Sequence, residues 1–266
     1  MRDLHIACGQ FAAEAGAKGQ NVARMVTYSR QAKEKGCELV LFPELIVTGY
    51  LSPDQIKPLA EPLNGPAVLA LARAAREIGI AIAFGMPESD PQRNLIYNSL
   101  VVLDANGEIV GLYRKVHLWA SEKQWATPGN VVPVFHVAET ACSGWICYDT
   151  RFPEIGRLAA LQGADLALVP TAWLGPGDEW ELALRARALD NSIFVAGADI
   201  ISYDPVLRCY GRSMIVGPKG KVLARAEPER EGIIDAVLKV EELLAQRKRV
   251  PLLADRRPEL YEPLAS

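Results

Sequence analysis

The sequence predicts an α/β protein with two sheets in one continuous layered domain, and three observations carry that reading. Short apolar runs alternate with amphipathic stretches early in the chain, in the order strand, helix, strand, helix. Hairpin-type turns then separate apolar runs in the middle of the chain and again towards its C-terminus. No Ser/Gly-rich linker, composition break or nameable internal repeat divides residues 1–266, which favours one domain over two.

Each element has a local signal. Residues 4–10 read as the first strand; Val22, Met25, Val26 and Ala32 recur at helical spacing, Gly36 ends that helix, and residues 39–42 form the second strand. Pro66 opens the next helix, with Val68, Leu69, Leu71, Ala72, Ala75 and Ile78 inward and Gly79 as its stop, before a strand at 80–85. Residues 99–103 and 108–116 flank Asp104-Ala105-Asn106-Gly107, whose Asn-Gly supplies the positive φ angles of a tight hairpin. Residues 144–148 read as a core strand running to a helix begun at Pro153, 164–170 as the next strand, then a helix around 180–189 and a strand at 194–198. A second hairpin joins 213–216 to 222–226 about Pro218-Lys219-Gly220, and a strand at 232–238 precedes an apolar helix at 240–250 and an extension at 251–261.

Composition narrows the function. Half of the 266 residues are apolar and 23% are charged, and a chain this long hides roughly three quarters of its unfolded surface, so the core needs neither disulfide nor structural metal. The 29 basic and 32 acidic side chains are scattered and sum to −3, which leaves no basic field for nucleic acid. Apolar runs such as 78–86 and 166–174 fall far below the ~20 residues of a membrane helix. The first five residues lead into Ile6-Ala7-Cys8 without an apolar signal region, so the expected location is cytoplasmic. Five cysteines form no CxxC pair and read mostly as small buried hydrophobes. No metal-ligand spacing is present; His5 and His136 have no acidic or cysteine neighbour at ligand or catalytic spacing, and Gly217-Pro218-Lys219-Gly220-Lys221 lacks the phosphate-loop spacing. No cofactor or metal is expected.

Three segments place a reactive residue at the end of an apolar strand, where loops gather around sites in α/β sheets. In Leu41-Phe42-Pro43-Glu44-Leu45 a carboxylate follows the strand, and Pro43 withholds a ladder donor. The plain alternative is a strand-end Glu in water. In Leu112-Tyr113-Arg114-Lys115-Val116-His117, Lys115 and His117 share one face of an extended segment and Leu112, Arg114 and Val116 the other; the plain alternative is a solvated Lys. In Gly144-Trp145-Ile146-Cys147-Tyr148-Asp149-Thr150-Arg151-Phe152-Pro153-Glu154, Cys147 closes a strand just before a helix start, where a thiolate is favoured. The plain alternative is a buried core Cys.

In combination, order and approximate spacing, these segments resemble the nitrilase (carbon-nitrogen hydrolase) superfamily over nearly the whole chain. Further agreement lies in Thr48-Gly49-Tyr50, Tyr97-Asn98-Ser99, Pro128-Gly129, Ala186-Arg187-Ala188-Leu189-Asp190-Asn191 and Gly211-Arg212-Ser213. The family usually has Glu where Asp190 stands and often His at position 212. Residues 250–261 look most like the tail of bacterial aliphatic-amidase members.

The resemblance implies a four-layer αββα sandwich, a Glu44–Lys115–Cys147 triad and cofactor-free hydrolysis of a carbon–nitrogen bond. Cys147 would attack the substrate carbon and form a thioester; Glu44 would be the general base, a task that partial burial suits. Lys115 and the backbone N–H of Tyr148 would stabilise the oxyanion. Glu122 matches an additional glutamate of amidase-like members and would orient substrate or assist the leaving ammonia, unless it pairs with Lys123 on the surface. Tyr50, Trp119, Tyr148, Thr171, Ala172 and Trp173 would rim the substrate mouth, although Trp173 could equally be plain core. The expected substrate is a small aliphatic carboxamide, with N-carbamoyl compounds and nitriles as alternatives. The expected assembly is a homodimer or higher homo-oligomer, with the helix and tail at 240–266 docked on a partner subunit. Two rivals remain at this point: a Cys147–His117 pair of protease type, and a silent binding protein on the same fold.

Overall fold

Two six-stranded mixed sheets face each other across the core of the computed structural model, which describes residues 1–174, 177–204 and 207–261. In chain order the elements are β1 (Leu4–Gln10), α1 (Lys18–Glu34), β2 (Leu39–Leu41), α2 (Pro53–Ile56), α3 (Pro66–Ile78), β3 (Ala81–Asp90), β4 (Leu95–Leu103) and β5 (Ile109–Arg114). Next come β6 (Phe135–Val137), β7 (Thr140–Gly144), α4 (Pro153–Leu161), β8 (Leu166–Thr171), α5 (Gly177–Asn191) and β9 (Phe194–Asp199). The chain closes with β10 (Ile201–Ser202), β11 (Cys209–Tyr210), β12 (Met214–Val216), β13 (Val222–Arg225), β14 (Gly232–Leu238) and α6 (Val240–Arg249).

The first sheet has the order β14-β1-β2-β3-β4-β5 and the second β13-β12-β9-β8-β7-β6, with β10 and β11 as a separate small ribbon. Both follow one plan. Three central strands run parallel (β1, β2, β3 and β7, β8, β9), joined by helices, and antiparallel strands extend the sheet on either side. This topological repeat leaves no trace in the sequence because it needs only apolar strands of similar length, not similar residues.

Alternation along the strands sorts the layers. Leu4, Ile6, Cys8, Leu39, Leu41, Leu100 and Val102 meet Phe135, Cys142, Leu166 and Leu168 between the sheets. The opposite faces of β1, β2 and β3, through Ala7, Val40 and Ile82, take α1 (Val22, Met25, Ala32) and α3 (Val68, Leu71, Ala75). Helices α4 and α5 cover the second sheet with Ile155, Ala159, Trp180, Leu184 and Ala188. The layers are therefore α, β, β, α, and strands buried on both faces account for the near-continuous apolar runs. Among the described residues, no helix is long and apolar enough to cross a membrane. Helix α6 is tied to its own chain: Leu243 and Gln246 are buried, and Arg247 bonds Asp165 (2.7 Å) and the Ala164 carbonyl (2.9 Å). Residues 250–261 beyond it are largely exposed, and 262–266 lie outside the described residues.

Besides α2 and the β10–β11 ribbon, which had no signal in sequence, the elements differ from expectation at three places. Strands β3 and β4 run on as a hairpin to Asp90 and from Leu95, turning through Asn94 at φ +54°. A second unforeseen hairpin joins β6 to β7 through Ala138 and Glu139, both at positive φ without Asn or Gly to announce it. The strand expected at 144–148 is β7, which ends at Gly144; Asp149 Oδ2 then accepts the Ile146 N–H at 3.1 Å and pulls the chain out of the ladder.

Candidate active site

Three strand ends on two sheets deliver the reactive residues. After β2, Phe42 still donates to the Ala83 carbonyl (2.8 Å) and Pro43 accepts from the Gly85 N–H (3.1 Å); Leu45 then turns to φ +50°, with Glu44 at the break. Gly85 is required here, because a Cβ would lie 2.6 Å from the Glu44 Cα. Lys115 follows β5 with its N–H on the Asn98 carbonyl and its own carbonyl held by the Gly129 N–H, both at 2.8 Å. Cys147 follows β7 at φ +47°, an elbow at the start of a 3₁₀ turn, Cys147–Arg151.

The carboxylates, ammonium and an amide form one closed cluster. Lys115 Nζ donates to Glu44 Oε1 and Glu122 Oε1, each at 2.7 Å. Asn98 Nδ2 donates to the same two oxygens, at 2.7 and 2.9 Å. Glu44 Oε2 accepts the Ala172 N–H (2.8 Å) and Glu122 Oε2 the Trp119 N–H (2.7 Å). Glu44, Asn98, Lys115 and Glu122 are each at most 1% exposed. Glu44 is thus no strand-end Glu in water, and Glu122 pairs with Lys115, while Lys123 is exposed. Asn98 Oδ1 has no hydrogen-bond partner among the described residues, which leaves the amide wholly committed to the two carboxylates.

Electrostatics follow from this packing. Burial alone would depress the Lys115 ammonium, but Glu44 and Glu122 outweigh it and hold its pKa well above the ordinary lysine value. Burial, then the Glu44 charge, push the Glu122 carboxyl up to about 7 against the pull of Lys115. The Cys147 thiol is pushed well above its ordinary value, first by burial and then by Glu44, with Lys115 and the Thr171 hydroxyl opposing. The expected thiolate-favouring helix start is absent, since Cys147 opens a short 3₁₀ turn and α4 begins only at Pro153. The resting thiol is neutral; Sγ lies 3.7 Å from the Ala172 carbonyl, to which it donates.

A pocket of about 60 Å³, open to solvent, lies over the thiol and is lined by Cys147, Lys115, Tyr50, Trp119, Tyr148, Arg151, Ala172, Trp173 and Leu174. Five of the six residues expected at the mouth line it. Thr171 does not: as the last residue of β8 it is fully buried. Trp173 both lines the pocket and packs on Trp180, with ring centroids 5.3 Å apart. Its Nε1 has no hydrogen-bond partner among the described residues.

Asp149 fixes the cysteine turn to the lysine segment. Its fully buried carboxylate accepts from the Ile146 N–H (3.1 Å), the Tyr113 hydroxyl (2.7 Å) and the His117 N–H (2.8 Å), with His117 Nδ1 also at 2.8 Å. The His117 ring stacks on Phe152 at 3.6 Å, so it belongs to this bracket and forms no Cys147–His117 pair. Sequence reasoning missed the roles of Asn98 and Asp149, although both stand inside the segments that carried the resemblance. It also missed Arg151, which lies over the Trp173 ring at 4.8 Å with its side chain 47% exposed and paired with Glu179.

A neutral thiol, a buried carboxylate and a fixed ammonium around one pocket can perform acyl transfer without a cofactor. Comparison with known proteins agrees with that chemistry. A family model described as Carbon-nitrogen hydrolase matches residues 5–248. The chain is 36% identical to a probable nitrilase of Schizosaccharomyces pombe, covering 98% of each, and 31% identical to a 2-oxoglutaramate amidase of Bacillus subtilis, covering 96% of this chain and 98% of that one. It is similar to the crystal structure of Saccharomyces cerevisiae Nit3, a member of branch 10 of the nitrilase superfamily, with TM-score 0.89, 30% identity and coverage of 96% and 97%. It is also similar to an amidase from Nesterenkonia sp. AN1, with TM-score 0.83, 30% identity and coverage of 98% and 96%. In that structure a glutamate-to-glutamine mutant carries the acetamide moiety of fluoroacetamide covalently on its active-site cysteine.

Proposed function

Because the chain belongs to the carbon-nitrogen hydrolase family of the nitrilase superfamily, we propose that it is an amidase converting a small aliphatic carboxamide to carboxylate and ammonia through a thioester on Cys147. The observation that carries this reading is Glu122, buried beside Glu44 with one Lys115 ammonium between them, because a second carboxyl serves the leaving amine.

Glu44 takes the thiol proton as sulfur attacks the amide carbon. The resulting oxyanion is met by the Lys115 ammonium and by the backbone N–H of Tyr148, which lies in the first turn after the elbow, where no intrahelical acceptor precedes it. Collapse breaks the carbon–nitrogen bond, and the amine leaves as ammonia with a proton from the Glu44–Glu122 pair. Water, deprotonated by Glu44, then splits the thioester and restores the thiol. Asn98 and Asp149 hold these groups in place.

A second reading narrows the substrate to an amide with a distal carboxylate. Arg151 is a cation at the rim, Trp173 Nε1 is a buried donor without a partner among the described residues, and one relative is named for 2-oxoglutaramate. Ammonia release from short neutral amides, monoamides of dicarboxylic acids, N-carbamoyl amino acids and nitriles, run beside Cys147→Ala, tests both readings. The first expects release from amides that vanishes in the variant. The second expects kcat/KM to favour the dicarboxylic monoamides, and Arg151→Met to raise their KM alone. Release confined to carbamoyl compounds or nitriles would overturn both.

A further inference from the structure

We propose that His5, Cys37 and Asp235 form a second site, apart from the pocket, which binds one zinc-class divalent cation per chain. Their ligand atoms, an imidazole nitrogen, a thiol sulfur and a carboxylate oxygen, all lie within 4.8 Å of one another. Tetrahedral zinc with these donors needs ligand separations of about 3.5 Å, which modest side-chain rotations supply. Along the chain the three residues look unrelated. The fold unites them because His5 is on β1, Asp235 is on the adjacent β14, where it stands opposite Ala7, and Cys37 enters β2 on the other side of β1.

The surroundings suit a cation held on three protein ligands and water. Cys37 is buried, whereas the His5 and Asp235 side chains keep 21% and 25% exposure, so a fourth position opens to solvent. Asp235 bonds His5 Nε2 at 2.9 Å and Lys35 Nζ at 2.6 Å. The half-exposed Lys35 ammonium holds the place of positive charge, and a cation would displace it into water at little cost. Mixed sulfur, nitrogen and oxygen donors select zinc or cobalt over magnesium or calcium. Binding breaks the Cys37 S–H bond, releases that proton to solvent and forms a thiolate–metal bond.

The site sits where β1 and β2 begin, whereas Glu44 follows the other end of β2. It ties the first strand, the α1–β2 junction and the last strand together, so its effect is on stability rather than turnover.

The test uses the full chain carrying Cys147→Ala, which removes the catalytic thiol as a competing ligand. After chelator treatment, zinc is titrated against a chromophoric chelator, and cobalt is followed by its thiolate charge-transfer absorption. The expected result is one zinc per chain with a rise in Tm, a thiolate–cobalt band, and affinity at least tenfold weaker in both Cys37→Ser and His5→Ala. Circular dichroism of the variants, and amide hydrolysis by the same substitutions in chain retaining Cys147, show whether they fold. Unchanged stoichiometry and affinity in the folded variants, or no zinc uptake by the parent chain, would overturn the proposal.

Discussion

Asn98 makes the residue-scale argument most concretely. Two carboxylates that share one ammonium repel each other, and among the described residues the Asn98 amide also hydrogen-bonds both. Asn98→Ala is expected to lower kcat on the order of 100-fold, the cost of misplacing reacting groups, with little change in KM and an unchanged circular dichroism spectrum. A variant with near-normal kcat would remove the positioning role. Glu122 gives a pH prediction. Its folded-state pKa of about 7 lies above the ordinary 4.5, so the native state binds more protons than the unfolded chain between those values. The group's contribution to stability is therefore present at low pH and lost as pH rises through about 7. Glu122→Gln should flatten the fall of unfolding free energy over pH 5–7 by on the order of 1 kcal/mol per pH unit; parallel curves for the two proteins would contradict it. Glu44, Lys115 and Cys147 were legible in sequence because each ends an apolar strand within an extended motif. Asn98 and Asp149 were visible as letters only, since their work lies in which side chains they join across 54 or 32 positions.

At the scale of elements, what was legible followed conformational chemistry. Pro66 and Gly79 bound α3 as expected, with Gly79 at φ +72° capping onto the Ala75 carbonyl at 2.8 Å. The β6–β7 turn escaped because Ala138 and Glu139 adopt positive φ under the pull of strand pairing, which no local residue preference signals. Cys147 was expected to close its strand just before a helix start, and only the structure reveals that Asp149 imposes the turn. The elements also transmit constraints to the site. Gly85→Ala would drive a methyl into the Glu44 backbone at 2.6 Å, with an expected loss of about 1–3 kcal/mol of stability from overpacking and a larger proportional loss of kcat. Chemical denaturation beside initial-rate kinetics checks both; normal values for each would show that the β2–β3 contact tolerates expansion.

Across the whole molecule, the layered α/β class was readable from alternation of strand and helix signals, whereas the repeated sheet plan was not. The site exists only because the sheets pack face to face: Glu44, Asn98 and Lys115 come from the first, while Cys147, Thr171 and Ala172 come from the second. We propose that the homo-oligomer expected from the resemblance forms on the outer face of α4 and α5. Leu158, Leu161 and Leu189 are 42–47% exposed on α4 and α5, beside a groove also lined by Arg157, Arg187, Arg256 and Tyr261. Sedimentation is expected to give a dimer that Leu158→Glu with Leu161→Glu converts to monomer; a monomeric parent chain would reject that assembly.

The account rests most heavily on a covalent bond between Cys147 and the acyl half of the substrate. Rapid quenching during turnover of the best amide, followed by intact-mass measurement and peptide mapping, reads that bond directly. The expected result is a gain equal to the acyl group, less one hydrogen, located on Cys147 and absent from Cys147→Ala. Steady turnover with the acyl group on another residue, or ammonia release undiminished in Cys147→Ala, would contradict it.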